Sequence, residues 1–201
     1  MPRWMTGFMI ISSMLVTTSA YAQETTPGPG KVEVTMIPGG MTFFTQKAAE
    51  PSFSNYDLGG AVSRNFNRVV GVEGEIGGSL GITQTLSGLT TKAKTPNMLA
   101  YSGNLVVNAP GHSLVPYATG GIGGLTLYNR AVLGITNGAN SFLTSNVGGG
   151  LKWFAGNGRW GLRGDYRFET VKSKTTATDF FGLSTRHANR IYGAVILNAV
   201  R

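Results

Sequence analysis

Apolar and polar side chains alternate strictly through several stretches of this chain. In the segment WGLRGDYRFET, residues 160–170, every second position is apolar, aromatic or glycine. The positions between them carry four charged residues, Arg163, Asp165, Arg167 and Glu169. Residues 70–82 repeat the arrangement, with Glu73 and Glu75 on the polar parity. Successive side chains of a β-strand point to opposite faces, so both segments predict strands with one apolar and one polar face.

Eight segments of this kind predict eight strands. Their ranges are 32–45, 56–64, 70–82, 98–108, 115–128, 141–154, 160–170 and 189–200. The sequence PGG at 38–40 predicts a bulge in the first strand, and four glycines leave the parity of the fifth strand undecided. A tilted strand needs about 9–11 residues to cross a bilayer, whereas strands of soluble proteins average about 5–6. The lengths therefore favour strands that cross a membrane.

The predicted connections alternate between short and long. The short ones are 65–68, 109–114 and 155–159, and the long ones are 46–55, 83–97, 129–140 and 173–187. Outer-membrane barrels have short periplasmic turns, longer external loops and an even number of strands. The pattern predicts an all-β fold, a closed up-and-down antiparallel eight-stranded transmembrane β-barrel whose apolar faces contact lipid.

Composition agrees with a membrane barrel. Only 13% of the 201 residues are charged, against about 25% in a typical soluble domain. The net charge of +8 comes from scattered lysines and arginines without a basic block, which argues against nucleic acid as a partner. The chain has no cysteine, which excludes disulfides and a lipid anchor on cysteine.

The first residues have the features of an export signal. Arg3 precedes the apolar run 4–16, and Ala20-Tyr21-Ala22 fits the small-x-small rule for cleavage. The apolar run is shorter than the roughly 20 residues that span a bilayer as a helix. We expect a cleavable signal peptide at 1–22, a short flexible leader at 23–30 and a barrel domain at 31–201.

Four ordered segments carry a resemblance to a known family. They are YDLGGAVSRNFNRVVGVEGEIGGSLG (56–81), VPYATGGIGGL (115–125), NVGGGLKWF (146–154) and LRGDYRF (162–168). Together they resemble the eight-stranded outer-membrane β-barrel family, which includes the transmembrane domain of outer-membrane protein A and opacity-type porin-family proteins. The resemblance implies a monomer in the cell outer membrane of a Gram-negative cell, with lipid, lipopolysaccharide and the assembly machinery as partners. The family commonly ends in an aromatic residue, whereas this chain ends at Arg201.

The polar parities predict a charge network inside the barrel. An eight-stranded barrel is only wide enough for side chains to fill it, and charges buried there need partners. The third and seventh predicted strands would face each other across the lumen. We expect a polar core with a structural network of Glu73, Glu75, Arg163, Asp165, Arg167, Glu169 and Arg190.

Aromatic and basic residues predict contacts with the membrane. Trp153 and Trp160 flank a predicted periplasmic turn, where amphipathic rings favour the boundary between membrane and water. The opposite girdle would contain Tyr56, Tyr128 and Phe168. The long loops are net basic, with Lys47, Lys92, Lys94, Arg130, Lys172, Lys174 and Arg186 against Glu50 and Asp179. Of these, Lys92, Lys94, Lys172 and Lys174 are the candidates for contact with lipopolysaccharide phosphates.

Catalytic motifs are absent from the sequence. His112 lies on a predicted turn, and His187 lacks the His-x-Ser arrangement of outer-membrane lipid A deacylases. The sequence contains no metal-ligand cluster, phosphate-binding glycine loop or nucleophile elbow, so we expect no enzymatic activity, cofactor or metal. The expected role is structural support of the envelope or surface interaction. The alternatives are a lipid-modifying enzyme, a soluble periplasmic lipocalin-like carrier with inverted polarity, and a narrow channel.

Overall fold

The computed structural model describes residues 27–47, 50–86, 92–128, 139–174 and 184–201. Residues 1–26, with the predicted signal peptide and the start of the leader, lie outside the described residues. The strands are β1 (Val32–Phe44), β2 (Phe53–Asn65), β3 (Val70–Gly81), β4 (Thr83–Thr85), β5 (Lys92–Lys94), β6 (Asn97–Asn108), β7 (Leu114–Tyr128), β8 (Ala139–Phe154), β9 (Trp160–Val171) and β10 (Arg186–Val200). No helix in these ranges is long and apolar enough to cross a bilayer.

The eight long strands form a closed antiparallel barrel. Their order around the barrel is β1-β10-β9-β8-β7-β6-β3-β2, and β1 closes the sheet by pairing with both β2 and β10. The predicted fold class is therefore confirmed. In this ring β3 and β9 lie four strands apart and face each other across the lumen.

The outer surface carries a broad apolar band. Its large side chains include Leu58, Val62, Val72, Ile76, Leu105, Ile122, Leu143, Val147, Leu162 and Ile191, all exposed. Glu75 and Arg163, on the opposite parity from their neighbours Ile76 and Leu162, are buried inside. A soluble carrier would have the inverse polarity, so the lipocalin-like alternative is wrong.

The bulge predicted in the first strand is present. The register of β1 shifts between Met36 and Gly39 against β10, and between Ile37 and Gly40 against β2. The inward parity consequently changes from odd at Glu33 to even at Phe44. One strand therefore contributes to the lumen with both parities.

The barrel extends further on the loop side than predicted. β2 begins at Phe53 and β10 at Arg186, and the connection 83–97 contains the additional hairpin β4–β5. The side chain of Gln84 fixes this hairpin to β2, because it donates to the carbonyl of Ser54 at 2.7 Å and accepts from its backbone N–H at 3.1 Å. The outward positions of these extensions are polar, as at Ser54 and His187, so an apolar alternation does not mark them.

Candidate functional site

The centre of the lumen holds an ion-pair network between opposite walls. Glu73 of β3 accepts from Arg163 Nη1 at 2.5 Å and from Arg167 Nη2 at 2.9 Å, both from β9. Asp165 lies between these two arginines and pairs with Arg163 Nη2 at 2.7 Å and Arg167 Nε at 3.0 Å. All four side chains are almost completely buried. Each of the two guanidinium groups therefore contacts both carboxylates.

The network continues towards the external side. Glu75 pairs with Arg167 at 3.0 Å and with Arg190 of β10. Arg190 also approaches Asp57 of β2 at 3.4 Å, and Glu169 only at 3.9 Å. The structure thus brings all seven residues of the predicted network together, with Glu169 at its edge.

Two tyrosines complete the network, and the sequence analysis missed both. The hydroxyl of Tyr117 accepts from Arg163 Nε at 2.7 Å and donates to Asp165. The hydroxyl of Tyr192 accepts from Arg167 at 3.0 Å. Their rings also stack beneath guanidinium groups, with Arg163 4.8 Å from the centroid of Tyr117.

A second buried ion pair lies nearer the periplasmic end. Lys152 Nζ of β8 donates to Glu33 of β1 at 2.7 Å, and both side chains are fully buried. Asn65 donates to the other oxygen of Glu33 at 3.1 Å. The polar parity of β8 could have identified Lys152, but its partner precedes the bulge in β1.

Apolar side chains occupy the lumen above the central charges and again beside the Glu33–Lys152 pair. The external layer consists of Phe44, Phe53, Leu86, Met98, Leu125, Leu127, Phe142, Val171 and Ala188. The periplasmic layer consists of Val115, Phe154 and Ile196. The prediction of a polar core does not include these apolar layers, although polar side chains such as Asn55, Asn108 and Lys152 are also buried at the two ends of the lumen. At the external end the outward positions become polar, as at Ser54, Ser141 and Thr170, so that part of the barrel packs like a soluble one.

The predicted aromatic girdle residues all point outward. Trp153 and Trp160 lie at the periplasmic ends of β8 and β9 with their rings edge to face, 5.5 Å apart. Tyr56, Tyr128 and Phe168 are exposed near the external ends of their strands. Two levels of aromatic side chains thus border the apolar band.

The predicted lipopolysaccharide contacts lie in two groups. Lys92 and Lys94 are exposed on β5, above β3, whereas Lys172 and Lys174 are exposed beyond the end of β9 on the opposite side of the ring. Arg130 lies outside the described residues.

Arg186 does not belong to this basic surface, contrary to expectation. It is buried at the start of β10, because this strand begins before the predicted residue 189 and so includes Arg186. Its Nη2 donates to the carbonyls of Thr45 and Pro51 at 2.6 Å each, and its Nε lies 3.7 Å from Glu50. Arg186 therefore fixes the β1–β2 loop instead of facing solvent.

The two histidines occupy different surfaces. His112 is exposed on the periplasmic turn between β6 and β7. His187 faces outward near the external end, where its Nδ1 lies 3.2 Å from the hydroxyl of Thr170 and its ring stacks on Phe168. In the described ranges, no three histidine, aspartate or glutamate residues are grouped so that they could hold a metal ion.

Comparison with solved structures finds barrels of the same architecture. Neisserial surface protein A is 9% identical, with a TM-score of 0.61 over 84% of this chain and 97% of that one. The attachment invasion locus protein Ail of Yersinia pestis, solved with a heparin analogue, is 12% identical, with a TM-score of 0.51 over 84% and 99%. The N-terminal barrel domain of OprF from Pseudomonas aeruginosa is 16% identical, with a TM-score of 0.49 over 83% and 99%.

Comparison by sequence identifies the family. No curated protein matches the chain. The family model of the outer membrane protein beta-barrel domain matches residues 8–189, most of the chain. Together with the closed eight-stranded barrel, its apolar outer band and its charged interior, this match shows that the chain belongs to the outer membrane protein beta-barrel domain family and resides in the outer membrane.

Proposed function

We propose that this protein is a non-conducting, non-enzymatic barrel that supports the integrity of the outer membrane and acts through the surfaces it presents. It works as a monomer, inserted by the outer-membrane assembly machinery, and needs no cofactor. The observation that carries the proposal is the filled lumen, which is occupied by buried ion pairs and two apolar layers.

The lumen offers little space for a solute. A cavity of about 20 Å³ beside Glu75, Glu169 and Arg190 has room for about one water molecule. An ion crossing the barrel would have to break the pairs of Arg163 and Arg167 and pass through the apolar layers without hydration. Both steps carry a large desolvation cost.

The external surface supports a role in contact with anionic lipid. All seven acidic residues in the described ranges have side chains that are buried or largely buried, namely Glu33, Glu50, Asp57, Glu73, Glu75, Asp165 and Glu169. The exposed lysines of the external rim are therefore not balanced by exposed acids in these ranges. Phosphate groups of lipopolysaccharide are suitable partners for such a rim.

Conductance measurements test the closed lumen. The folded protein, inserted into planar bilayers, should give no discrete current steps, and vesicles containing it should not swell in isotonic sugar. A porin of known conductance serves as the positive control. Regular current steps that scale with the amount of inserted protein would contradict the proposal.

Binding to lipopolysaccharide tests the surface role. Lys92→Ala/Lys94→Ala and Lys172→Ala/Lys174→Ala should each weaken binding to lipopolysaccharide vesicles, and the difference from wild type should shrink at high salt because screening weakens such contacts. Arg68→Ala removes an exposed cation in the β2–β3 turn at the periplasmic end and is the control. Equal binding by all variants would remove this part of the proposal.

A lipid-modifying enzyme is the second candidate, favoured by the contact between His187 and Thr170. An imidazole beside a hydroxyl on the outer surface is the arrangement of a base and a nucleophile. The acidic side chains of the described ranges face the lumen or lie buried beneath the β1–β2 loop, so none of them orients this imidazole from outside. Mass spectrometry of lipid A from cells that express wild type or His187→Ala distinguishes the candidates: a mass change that requires His187 would support the enzyme.

A further inference from the structure

A shallow apolar groove crosses the lipid-facing surface of the barrel. Its volume is about 770 Å³, and it extends from Tyr56 on β2, across β1, β10 and β9, to Trp153 on β8. Gly193 and Gly164 lie side by side in register and form its floor, and the side chain of Tyr56 lies over the neighbouring Gly39. Four spacings between adjacent strands give the groove a length of about 19 Å across the sheet.

The periplasmic edge below the same strands is basic. Arg64 at the end of β2, Lys31 before β1 and Arg159 in the β8–β9 turn are exposed, and Arg201 follows β10. We call these four residues the periplasmic basic arc. Arg201 donates to the carbonyl of Asn157 at 2.8 Å and so lies over the β8–β9 turn, near the end of the groove at Trp153. The acidic side chains of the described ranges are in the lumen or beneath the external β1–β2 loop.

From these two features we infer that the barrel binds one anionic phospholipid of the periplasmic leaflet at this face. An acyl chain lies in the glycine-floored groove, and the phosphate pairs with the periplasmic basic arc. The apolar groove and the basic arc are formed by different residues. Both nevertheless lie on β2, β1, β10, β9 and the adjoining turn. A lipid with an apolar tail and a negative head matches both at the leaflet where the arc lies.

A second copy of the chain fits the groove less well. A symmetric dimer would place the same surface of each copy against the other, and two concave surfaces leave a void between them. An acyl chain is narrow and flexible and can fill such a groove. The groove also faces the bilayer, where acyl chains are the surrounding solvent.

Native mass spectrometry of the folded protein, released from micelles containing equal amounts of dioleoyl phosphatidylglycerol and dioleoyl phosphatidylcholine, tests the inference. The two lipids have the same chains and differ in headgroup charge. Wild type should retain one phosphatidylglycerol in preference to phosphatidylcholine by about tenfold, the size expected for cations near an anionic headgroup. Equal retention of the two lipids, or retention of neither, would overturn the inference.

Variants separate the groove from the arc. Gly164→Leu/Gly193→Leu fills the groove without a clash, because a Cβ at either position meets no atom within 4 Å, and should abolish retention of both lipids. Gly74→Leu/Gly103→Leu is the matched control, since these glycines are also outward, in register and open, but lie on β3 and β6. Retention that survives in the first variant, or is lost equally in the control, would overturn the inference.

The charge variants use the same measurement. Lys31→Gln/Arg64→Gln/Arg159→Gln should lose the preference for phosphatidylglycerol but keep some retention of either lipid. Lys94→Gln/Lys172→Gln/Lys174→Gln removes three exposed cations from the external side and should keep the preference. An unchanged preference in the first triple variant would contradict the inference. A dimer mass in the wild-type spectrum that disappears in Gly164→Leu/Gly193→Leu would also contradict the inference, because the groove would then hold a second copy of the chain.

Discussion

Glu73 and Arg163 come from strands on opposite sides of the barrel, and their fully buried side chains meet at 2.5 Å across the lumen. The backbone hydrogen bonds of a barrel connect only adjacent strands. This ion pair instead connects β3 with β9 through the interior, where the low dielectric strengthens a satisfied network and penalises an incomplete one. The network is therefore complete only when the barrel has closed.

Removing one guanidinium from this network should destabilise the barrel strongly. Arg167 pairs with Glu73, Glu75 and Asp165, so Arg167→Met leaves buried carboxylates with fewer partners. We expect the free energy of unfolding to fall by about 3–5 kcal/mol, the usual cost of breaking a buried pair. Urea unfolding in vesicles, followed by the heat-modifiable gel mobility of the folded barrel, measures the change.

The control for Arg167 is Arg64→Met, an equal change at an exposed position of β2. A surface change of this kind should alter stability by no more than about 0.5 kcal/mol. An unchanged urea midpoint for Arg167→Met would show that the network contributes little to stability.

The pair of Glu33 and Lys152 should behave as one unit. Each of Glu33→Gln and Lys152→Met leaves one buried charge without its partner, whereas the double variant removes both charges. We therefore expect the double variant to lose less stability than the sum of the single variants, with a coupling of about 1–3 kcal/mol.

A double-mutant cycle from urea unfolding gives this coupling directly. Thr126→Ala and Ser141→Ala, whose hydroxyls lie 2.9 Å apart on the outer surface, form a comparison pair that carries no charge. Strict additivity at Glu33 and Lys152 would mean that the two charges do not depend on each other in the folded barrel.

Much of the barrel could be predicted from alternation alone. On β3, Glu73 faces inward and Ile76 outward, and on β9, Arg163 faces inward and Leu162 outward. In each strand the two residues are separated by an odd number of positions, which places their side chains on opposite faces. The opposition of β3 and β9 follows from strand count and closure. These inferences need only the period of the strand and the order of the chain.

Other features required three-dimensional information. Glycines interrupt the apolar pattern of β7, so the inward orientation of Tyr117 had no signal in the sequence. The bulge reverses the parity of β1 between Glu33 and Phe44, which hides the partner of Lys152. The sequence predicts a loop at Arg186 because the outward positions beside it, His187 and Asn189, are polar. In each case a local irregularity changes which face the side chain occupies.

Arg186 should control the order of the β1–β2 loop. Arg186→Met removes two hydrogen bonds to loop carbonyls and leaves Glu50 buried beside a neutral side chain. The backbone contact between Lys47 and Glu50 should open more often, and trypsin added to intact cells should cleave after Lys47 faster. We expect cleavage there to accelerate at least about tenfold, because breaking a buried pair costs more than the roughly 1.4 kcal/mol that a tenfold change represents.

Mass spectrometry of the fragments distinguishes cleavage after Lys47 from cleavage at other sites. Lys172→Gln removes an exposed external cation and serves as the control, with cleavage after Lys47 expected at the wild-type rate. If Arg186→Met and wild type are cleaved equally fast, Arg186 does not fix this loop.

The β8–β9 turn should depend on one glycine and tolerate replacement of another. Gly158 has φ +57° and donates to the carbonyl of Ala155 at 2.7 Å, whereas a Cβ at Gly156 meets no atom within 4 Å. Gly158→Ala forces a side chain into the left-handed region and against the guanidinium of Arg201, so we expect a loss of about 1–2 kcal/mol. Gly156→Ala should be neutral or slightly stabilising, because it restricts the unfolded chain.

Gly158→Asn should lose less unfolding free energy than Gly158→Ala, since asparagine tolerates this conformation better. Urea midpoints of the three variants give the order, and equal midpoints for Gly156→Ala and Gly158→Ala would show that the turn does not need its left-handed residue.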